Sequence, residues 1–395
     1  MATDLATPAA ARVPAVDKLG VLIALLAVVA ALLPFAAFRA NRIVLGEPKS
    51  IFAALPTWEA GLLAIVLLAG IGVALFRTPI LWRAVVSLAV LALLFVTIGN
   101  AASFLTPSGD KLVRASPGGG FWLLVFAFAL LAADAFARMK PNPWLRIATL
   151  LLVALGVALL LWSGAWNDLS ILKEYANRAD AFWREGRTHV ALALGSLAAA
   201  TIAGIPLGIL CHRTEVLRAP ILNVLNVIQT IPSIALFGLL IAPLAWVAAN
   251  IPGASAIGIS GIGTAPAMVA LFAYSLLPVV ANTVVGLDNV PSAANEAAKG
   301  MGMTDWQRLT TVEFPLAFPV ILTGIRIVLV QNIGLATIAA LIGGGGFGVF
   351  VFQGVGQTAM DLVLLGAVPT VAMAFAAAII LDAIVELVST WERPK

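Results

Sequence analysis

The feature that most constrains this chain is a series of long apolar segments that recurs from one end to the other. A helix needs about 20 mostly apolar residues to cross the hydrocarbon core of a bilayer. The pattern therefore predicts an all-α integral membrane protein with about ten transmembrane helices. The predicted spans are residues 19–38, 60–76, 80–99, 119–137, 145–163, 189–211, 220–248, 265–287, 316–342 and 363–389.

Composition supports the membrane assignment and excludes other classes. The chain is 62% hydrophobic and 11% charged, whereas soluble domains average roughly 25% charged residues. The net charge of +4 is small and its basic residues lie at segment ends, so we expect no nucleic-acid partner. One cysteine and two histidines (Cys211, His189 and His212) make a disulfide framework or a metal site unexpected.

The two halves of the chain differ in texture. The first five spans are mainly Leu, Ala and Val, whereas the last five contain more Pro, Gly, Asn and Gln. Polar groups within lipid are tolerated where they face other helices or water, so the second half is expected to hold a solute pathway. The predicted domains are a disordered cytoplasmic tail at 1–18, a five-helix extension at 19–165, an amphipathic periplasmic linker helix at 166–188, and a core at 189–390.

The distribution of Lys and Arg predicts the orientation. The segments around residues 249–263 and 343–362 contain neither residue, so they are assigned to the outside. This places both chain termini in the cytoplasm. The segment at 165–188 fits poorly, because it contains several basic residues and yet falls outside.

The segment at 289–315 lies between two spans and is not apolar enough for lipid. Pro291 and Ser292 can begin a short helix, and Gly302 permits the turn that ends it. Thr304 can begin a second helix, with Gln307 placed to complete a capping box. The predicted structure is a helical knob of small residues, which a partner protein can approach closely.

The spacing within this segment resembles the EAA loop of binding-protein-dependent ABC importers. Its residues are Glu296, Ala297, Ala298, Gly302 and Pro315, with Val312 and Phe314 where Ile and Leu are usual. The resemblance implies a type I importer (MetI-like) core whose coupling helix docks on a separate ABC ATPase subunit. It also implies that this chain is not an enzyme, has no catalytic residues and no cofactor, and leaves ATP and Mg²⁺ to that subunit.

Three further stretches, 226–233, 262–272 and 324–348, resemble permeases of osmoprotectant importers, and the N-terminal extension resembles the YehY-like subset. The resemblance implies import of small quaternary amines such as glycine betaine, choline or carnitine by alternating access. Implied partners are a periplasmic or extracellular solute-binding protein, a second permease copy or a homologue, and the bilayer of the bacterial inner membrane.

Six polar residues within the predicted core spans are candidates for the pathway, although hydrogen bonding between helices explains each equally well. They are Gln229, Thr230, Ser233, Asn282, Gln331 and Asn332. Arg326 would lie roughly 16 Å into the membrane along a helix, where an unpaired charge is costly. We expect it to pair with Asp382, with Glu386 as the next candidate, in either a structural or a gating role.

Other functions are weighed on the same residues. Gly343, Gly345 and Gly348 match GxGxxG, but no strand precedes them, so a flexible periplasmic turn is predicted. Gly204 and Gly208 form a GxxxG pair that predicts close helix packing. An ABC permease for an amino acid or a sulfonate stays open, as do an ion-coupled transporter or channel and a membrane scaffold or sensor.

Overall fold

The computed structural model describes residues 16–40, 46–106 and 112–391 and is almost entirely helical. Most of the tail predicted at residues 1–18 lies outside the described residues. The helices of the first part are α1 Lys18–Leu32, α2 Ile51–Ala54, α3 Thr57–Leu75, α4 Ile80–Leu105, α5 Gly119–Met139 and α6 Pro143–Trp162. Its strands are β1 Ala36–Arg39, β2 Glu47–Lys49 and β3 Arg114–Pro117.

The remaining helices are α7 Ser170–Asn177, α8 Ala179–Arg213, α9 Glu215–Thr230, α10 Ser233–Leu239, α11 Ile241–Asn250, α12 Thr264–Asp288, α13 Ser292–Gly300, α14 Asp305–Arg308, α15 Phe314–Leu335, α16 Gly348–Gly356 and α17 Met360–Trp391. Two 3₁₀ turns, Ser255–Ile257 and Ile338–Ile342, and a π turn at Leu309–Glu313 complete the chain.

Nine helical segments within the described residues are long and apolar enough to cross a membrane, close to the ten expected. Four come from the first part (α3, α4, α5 and α6). The other five are α8, α10 with α11, α12, the continuous helix Asp305–Leu335, and α17.

The chain divides into two compact units. The first, here called the N-terminal unit, comprises the described residues of Met1–Pro141 and Ala154–Lys173. The second, here called the core unit, comprises those of Asn142–Val153 and Glu174–Lys395. The helix α6 contributes its first part to the core unit and its last part to the N-terminal unit.

The N-terminal unit is organised around one apolar cluster. Residues from α1, α3, α4 and α5 meet in it, with Phe121 and Phe128 among its largest fully buried side chains. Gly70 allows α3 to approach α5, because a Cβ there would lie 2.5 Å from Phe128 Cε1. The cluster explains why these helices need almost no polar residues to recognise one another.

The first predicted span, 19–38, is wrong at its C-terminal end. The helix α1 ends at Leu32, and β1 pairs antiparallel with both β2 and β3. Pro34 lies at this transition, and a proline ring blocks continuation of a helix. At 1.5 Å per residue α1 is about 22 Å long, shorter than the hydrocarbon core.

Four charged side chains meet at the start of α1, namely Arg83, Arg138, Asp17 and Asp134. The Arg83 guanidinium contacts Asp17 (2.6 Å) and Asp134 (3.1 Å) and donates to the Ala74 carbonyl (3.1 Å). Burial of the Asp17 carboxyl favours its neutral form, but the hydrogen bond and charge of Arg83 outweigh burial and lower the pKa of Asp17. Asp17 also caps α1 through the Leu19 N–H.

The core unit is built around α12, which packs on α8, α9 and α15. The predicted close packing at the GxxxG pair is confirmed: Cβ atoms at Gly204 and Gly208 would lie 2.8 Å from Val279 Cγ1 and 2.5 Å from Thr283 Cβ. Small residues thus allow the two helices to approach closely, as is common in membranes.

Two predicted elements of the core unit are wrong in their bounds. The span at 220–248 is divided among the three helices α9, α10 and α11. Ile231, the residue before Pro232, is extended and separates α9 from α10, and Leu240 lies between α10 and α11. The linker helix at 166–188 is also divided: α7 ends at Asn177, and residues from Ala179 onward are the start of the long helix α8. The amphipathic segment is therefore not a separate surface element.

The glycine-rich turn after α15 is held by side chains of α8, in contrast to the predicted flexible turn. Gly346 has φ +85°, its N–H donates to Glu185 Oε2 (2.9 Å), and the Phe347 N–H donates to His189 Nδ1 (3.2 Å). The helix α16 follows at Gly348 within a segment that was predicted as a loop.

Candidate functional site

The segment from Asn289 to Pro315 forms the predicted pair of helices with a glycine turn between them. The helix α13 begins at Ser292 after Pro291, and Gly302 has φ +79°, a left-handed conformation that favours glycine. Thr304 and Gln307 form the capping box at the start of α14, which confirms that prediction. The local structure of this loop is therefore set by its own sequence.

From α14 the chain continues into α15 without a break. The π turn Leu309–Glu313 precedes Pro315, which lies in the first turn of α15. A proline within a helix removes one hydrogen bond and crowds the carbonyl four residues before it, and a wider turn relieves that crowding. The loop is thus rigidly joined to a membrane-spanning helix, so that a push on α13 and α14 can reach α15.

The exposed residues of the loop combine charged side chains (Glu296, Lys299 and Asp305) with apolar ones. Glu296 and Ala297 are exposed, as are Met301 (69%) and Trp306 (71%). Ala298 is buried at 1% exposure and packs inward, so it does not contribute to the exposed face of the predicted knob. Exposed Met and Trp side chains beside small residues are typical of a surface that binds another protein.

Sequence reasoning missed the side chain that holds this loop from below. Glu313 is buried at 3% exposure and accepts from Arg213 (2.6 Å) and from Arg308 (2.8 Å). Arg213 ends α8, while Arg308 ends α14 and also contacts Asp305 (2.9 Å). A glutamate between two apolar residues, two positions before Pro315, was the available signal.

A second charged cluster joins the C-terminal ends of α8 and α12 to the N-terminal end of α9. Asp288, at the end of α12, lies 2.8 Å from His212 Nδ1 and 2.8 Å from Arg218. These contacts connect the last turn of α8 and the first turns of α9 to the residue that precedes the loop. The loop therefore starts and ends at residues that are tied to α8.

The six candidate pathway residues occupy different environments. Asn332 is fully buried and donates to Ser196 of α8 (2.8 Å) and Ser275 of α12 (2.9 Å), which is hydrogen bonding between helices. Gln229 donates to the Tyr274 carbonyl (2.8 Å), and Asn282 donates to the Pro278 carbonyl of its own helix (2.8 Å). The remaining three are Thr230, which is exposed, and Ser233 and Gln331, which are half-buried.

Arg326 of α15 is in ion-pair contact with Asp382 of α17, the partner that the sequence suggested. Glu386, the alternative partner, instead contacts Arg146 of α6 at 2.8 Å. Arg146 also contacts Asp382 at 2.8 Å, so the pair is part of a larger cluster. No group of three or more His, Cys, Asp or Glu side chains in the described ranges could hold a metal ion.

Comparison with known proteins gives two adjoining family matches. Residues 17–172 match the N-terminal domain of the ABC transporter permease YehY, and residues 204–393 match the binding-protein-dependent transport system inner membrane component. The osmoprotectant import permease protein OsmW of Salmonella typhimurium is 44% identical over 206 residues, which are 52% of this chain and 87% of OsmW. The chain belongs to the inner-membrane permeases of binding-protein-dependent ABC transport systems.

Other relatives match a similar share of this permease. The carnitine transport permease protein OpuCD of Listeria monocytogenes is 37% identical over 51% of this chain and 82% of its own length. OpuCB of Bacillus subtilis, a glycine betaine/carnitine/choline permease, is 33% identical over 55% and 91%. An inward-facing MetNI methionine ABC transporter structure is 22% identical, with a TM-score of 0.47 over 53% of this chain and 96% of that one.

Membership of this family defines the class of the protein. The permease is a multi-pass inner-membrane component of a binding-protein-dependent ABC transport system, not an enzyme, and the ATPase of such systems is a separate subunit. Its systems also include a solute-binding protein. The predicted fold class and importer assignment are thereby confirmed.

Proposed function

We propose that this permease forms the membrane pathway for small quaternary-ammonium osmoprotectants such as glycine betaine, in an importer that works by alternating access. The observation that carries the proposal is the 44% identity to an osmoprotectant import permease over most of that protein's length. OpuCD, a carnitine permease, and OpuCB, a glycine betaine/carnitine/choline permease, indicate the same class of solute. The pathway would be completed by a second copy of this chain or by a homologous subunit.

The loop at 289–315 would be the coupling element. Glu296 and Ala297, with the exposed Met301 and Trp306, would contact the ATPase, while Gly302 and Pro315 shape the loop. Ala298 supports the same role from the buried side. Glu313 would carry the movement, since it is held by an arginine from the loop and by another at the end of α8.

This role requires the loop to be cytoplasmic, because ATP is hydrolysed there. With α15 leaving the loop and α17 returning, the C-terminal end of α17 lies on the cytoplasmic side as well. The helix α8 then begins on the outside, and the N-terminus is cytoplasmic if α1 also crosses the membrane. The predicted domain division at residues 19–165, 166–188 and 189–390 is retained in this proposal as a functional division.

High-affinity recognition of the solute would belong to the binding protein. A quaternary ammonium has no N–H to donate and is normally bound by aromatic faces. The chain has two tyrosines, and the buried Tyr274 already donates its hydroxyl to the Ile231 carbonyl. Gln229, Thr230, Ser233, Asn282 and Gln331 are proposed as weak pathway contacts, whereas Asn332 serves helix packing.

The test is uptake of labelled glycine betaine into vesicles that hold the permease with its ATPase and binding protein, with and without internal ATP. We expect uptake that depends on ATP. Glu296→Ala should abolish uptake and release the ATPase on purification, because its side chain lies on the exposed coupling face. Glu215→Ala is the matched control, since Glu215 is exposed near the end of α8 but outside the loop.

The outcomes separate the class of protein from its solute. Absence of betaine uptake, with the ATPase bound and active, would reject the osmoprotectant assignment and direct the assay to amino acids and sulfonates. Retention of the ATPase by Glu296→Ala with normal uptake would reject the coupling role of α13. Uptake that proceeds without ATP would contradict the importer mechanism.

A further inference from the structure

Two acidic side chains lie one turn apart on the last part of α17. Asp382 and Glu386 are four residues apart, so they point to the same side of the helix. Like charges at this spacing destabilise a helix, and both side chains are partly buried, at 44% and 40% exposure. Such a pair of carboxylates within an apolar helix needs nearby cations to balance its negative charge.

One of the two cations comes from α15. Arg326 contacts Asp382, and the sequence on both sides of Arg326 is apolar. The other cation is Arg146, whose two terminal nitrogens are each 2.8 Å from a carboxylate, one on Asp382 and one on Glu386. Its planar guanidinium thus bridges the two acids, a geometry that a lysine cannot reproduce.

Arg146 is the least exposed of the four side chains, at 26%, although it belongs to α6. Pro143 is the buried residue of α6, and the rest of that helix is at least partly exposed. Arg146 connects α6 to α17 through two ion pairs. Residues 142–153 nevertheless cluster with the core unit.

The origin of Arg146 in the sequence is informative. It lies within the match to the YehY N-terminal domain, whereas Arg326, Asp382 and Glu386 lie within the match to the transport component. The aligned 206 residues account for 87% of OsmW, so the remainder of OsmW is too short to hold a counterpart of residues 17–172. A permease of that size therefore has no room for the N-terminal domain to which α6 and its arginine belong.

We propose that Arg146 is a positioning residue: it lies in the segment that matches the YehY N-terminal domain, and it acts on the helices that match the transport component. By bridging Asp382 and Glu386 it fixes the last part of α17 against α15, and so sets how readily these helices rearrange during transport. The four side chains are together neutral, and loss of Arg146 removes one of the two positive charges that contact these carboxylates. The transport readout rests on the proposed function, but the charge coupling does not.

The test is a double-mutant cycle in the full chain, assembled with its ATPase and binding protein. The variants are Arg146→Gln, Arg146→Lys, Glu386→Gln and the double Arg146→Gln/Glu386→Gln, with Arg77→Gln as control because Arg77 is exposed in the turn between α3 and α4. Maximal uptake rate, half-saturating solute concentration and ATPase stimulation are measured per assembled complex.

We expect Arg146→Gln to lower the maximal rate several-fold while the half-saturating concentration stays unchanged, since the binding protein sets it. Arg146→Lys should recover little, and Arg77→Gln should behave as the parent. The double variant should regain most of the rate, because it removes one carboxylate charge together with the arginine. A merely structural contact would lower the yield of complex without changing the rate per complex.

Two results would overturn the proposal. One is a normal rate for Arg146→Gln per assembled complex. The other is a loss that Glu386→Gln leaves unchanged, which would show that the two side chains are not coupled. If Arg146→Gln does not assemble, assembly of the charge-swap variant Arg146→Glu/Glu386→Arg is compared with assembly of Arg146→Glu alone. Better assembly of the double variant supports the coupling, and equal assembly rejects it.

Failure of the proposed solute is distinguishable from failure of this proposal. If the parent complex takes up no betaine, the same variants are compared by stimulation of ATPase activity by the binding protein and by resistance of the complex to trypsin. Coupling between Arg146 and Glu386 in those readouts supports the positioning role whatever the solute. Additive effects in both would reject it.

Discussion

The N-terminal unit and the core unit place their polar groups differently. In the N-terminal unit a single apolar cluster joins α1, α3, α4 and α5, and the buried Arg83 lies with Asp17 and Asp134 at the start of α1. The core unit has three smaller apolar clusters, and buried polar side chains such as Asn332, Glu313 and His189 connect its helices.

This difference indicates different mechanical roles. A unit with one close-packed apolar cluster resists internal change, because any movement opens voids. Hydrogen bonds between helices in a membrane contribute only about 0.5–2 kcal/mol each, so helices joined by them can exchange partners at modest cost. The core unit is thus suited to alternating access, and the N-terminal unit to serving as a fixed body.

The largest effect is expected where the N-terminal unit does bury a charge. Arg83→Gln should cost about 4 kcal/mol, because it removes the buried cation of an ion cluster, and the partly exposed Arg138, which also contacts Asp17 and Asp134, compensates only in part. Since the unit has one cluster, it should unfold as a whole, which thermal unfolding with limited proteolysis would detect. Local loosening near α1 alone, with α3 to α5 still protected, would contradict the single-body view.

The same cluster makes a pH prediction. The folded-state pKa of Asp17 lies below its ordinary value of 3.8, so its contribution to stability is present above that value. It is lost as the pH falls through the lower folded-state pKa. An Asp17→Asn variant should therefore be less stable than the parent at neutral pH, and this difference should shrink only in strong acid.

A smaller but functionally sharper effect is expected in the core unit. Glu313→Gln should cost about 3 kcal/mol, the low end for breaking a buried ion pair, since Arg213 is partly exposed and can reach water. The predicted result is loss of transport with the N-terminal unit still folded. The readout is betaine uptake beside protease resistance of each unit, and Glu215→Gln serves as control because Glu215 is exposed and lies outside the loop.

Local features of the fold could be predicted from the sequence. The capping box at Thr304, the left-handed turn at Gly302 and the close packing at Gly204 and Gly208 each depend on residues within a few positions of one another. Five of the ten predicted spans also agree with the observed helices to within three residues at both ends, because a bilayer imposes length and apolarity directly.

Features that join distant residues could not be predicted. The strand β1 pairs with β3 across more than seventy positions, and Arg146 contacts Asp382 across 236 positions. Neither partner carries a local pattern that identifies the other. Pro34 and Pro232 are different, since each proline was visible in the sequence and marks a break that apolarity alone concealed.

The smallest expected effect tests the polar contacts of the core unit directly. Asn332→Leu replaces the amide by an apolar side chain of similar size, and Ser196 and Ser275 keep bonds to carbonyls of their own helices. The expected cost is about 1 kcal/mol, because such contacts between membrane helices are weak. Uptake should therefore change in rate more than the complex changes in thermal stability. A loss of stability as large as that of Arg83→Gln would show that the polar contacts of the core unit stabilise it as strongly as the buried ion cluster stabilises the N-terminal unit. The proposed contrast between the two units would then be wrong.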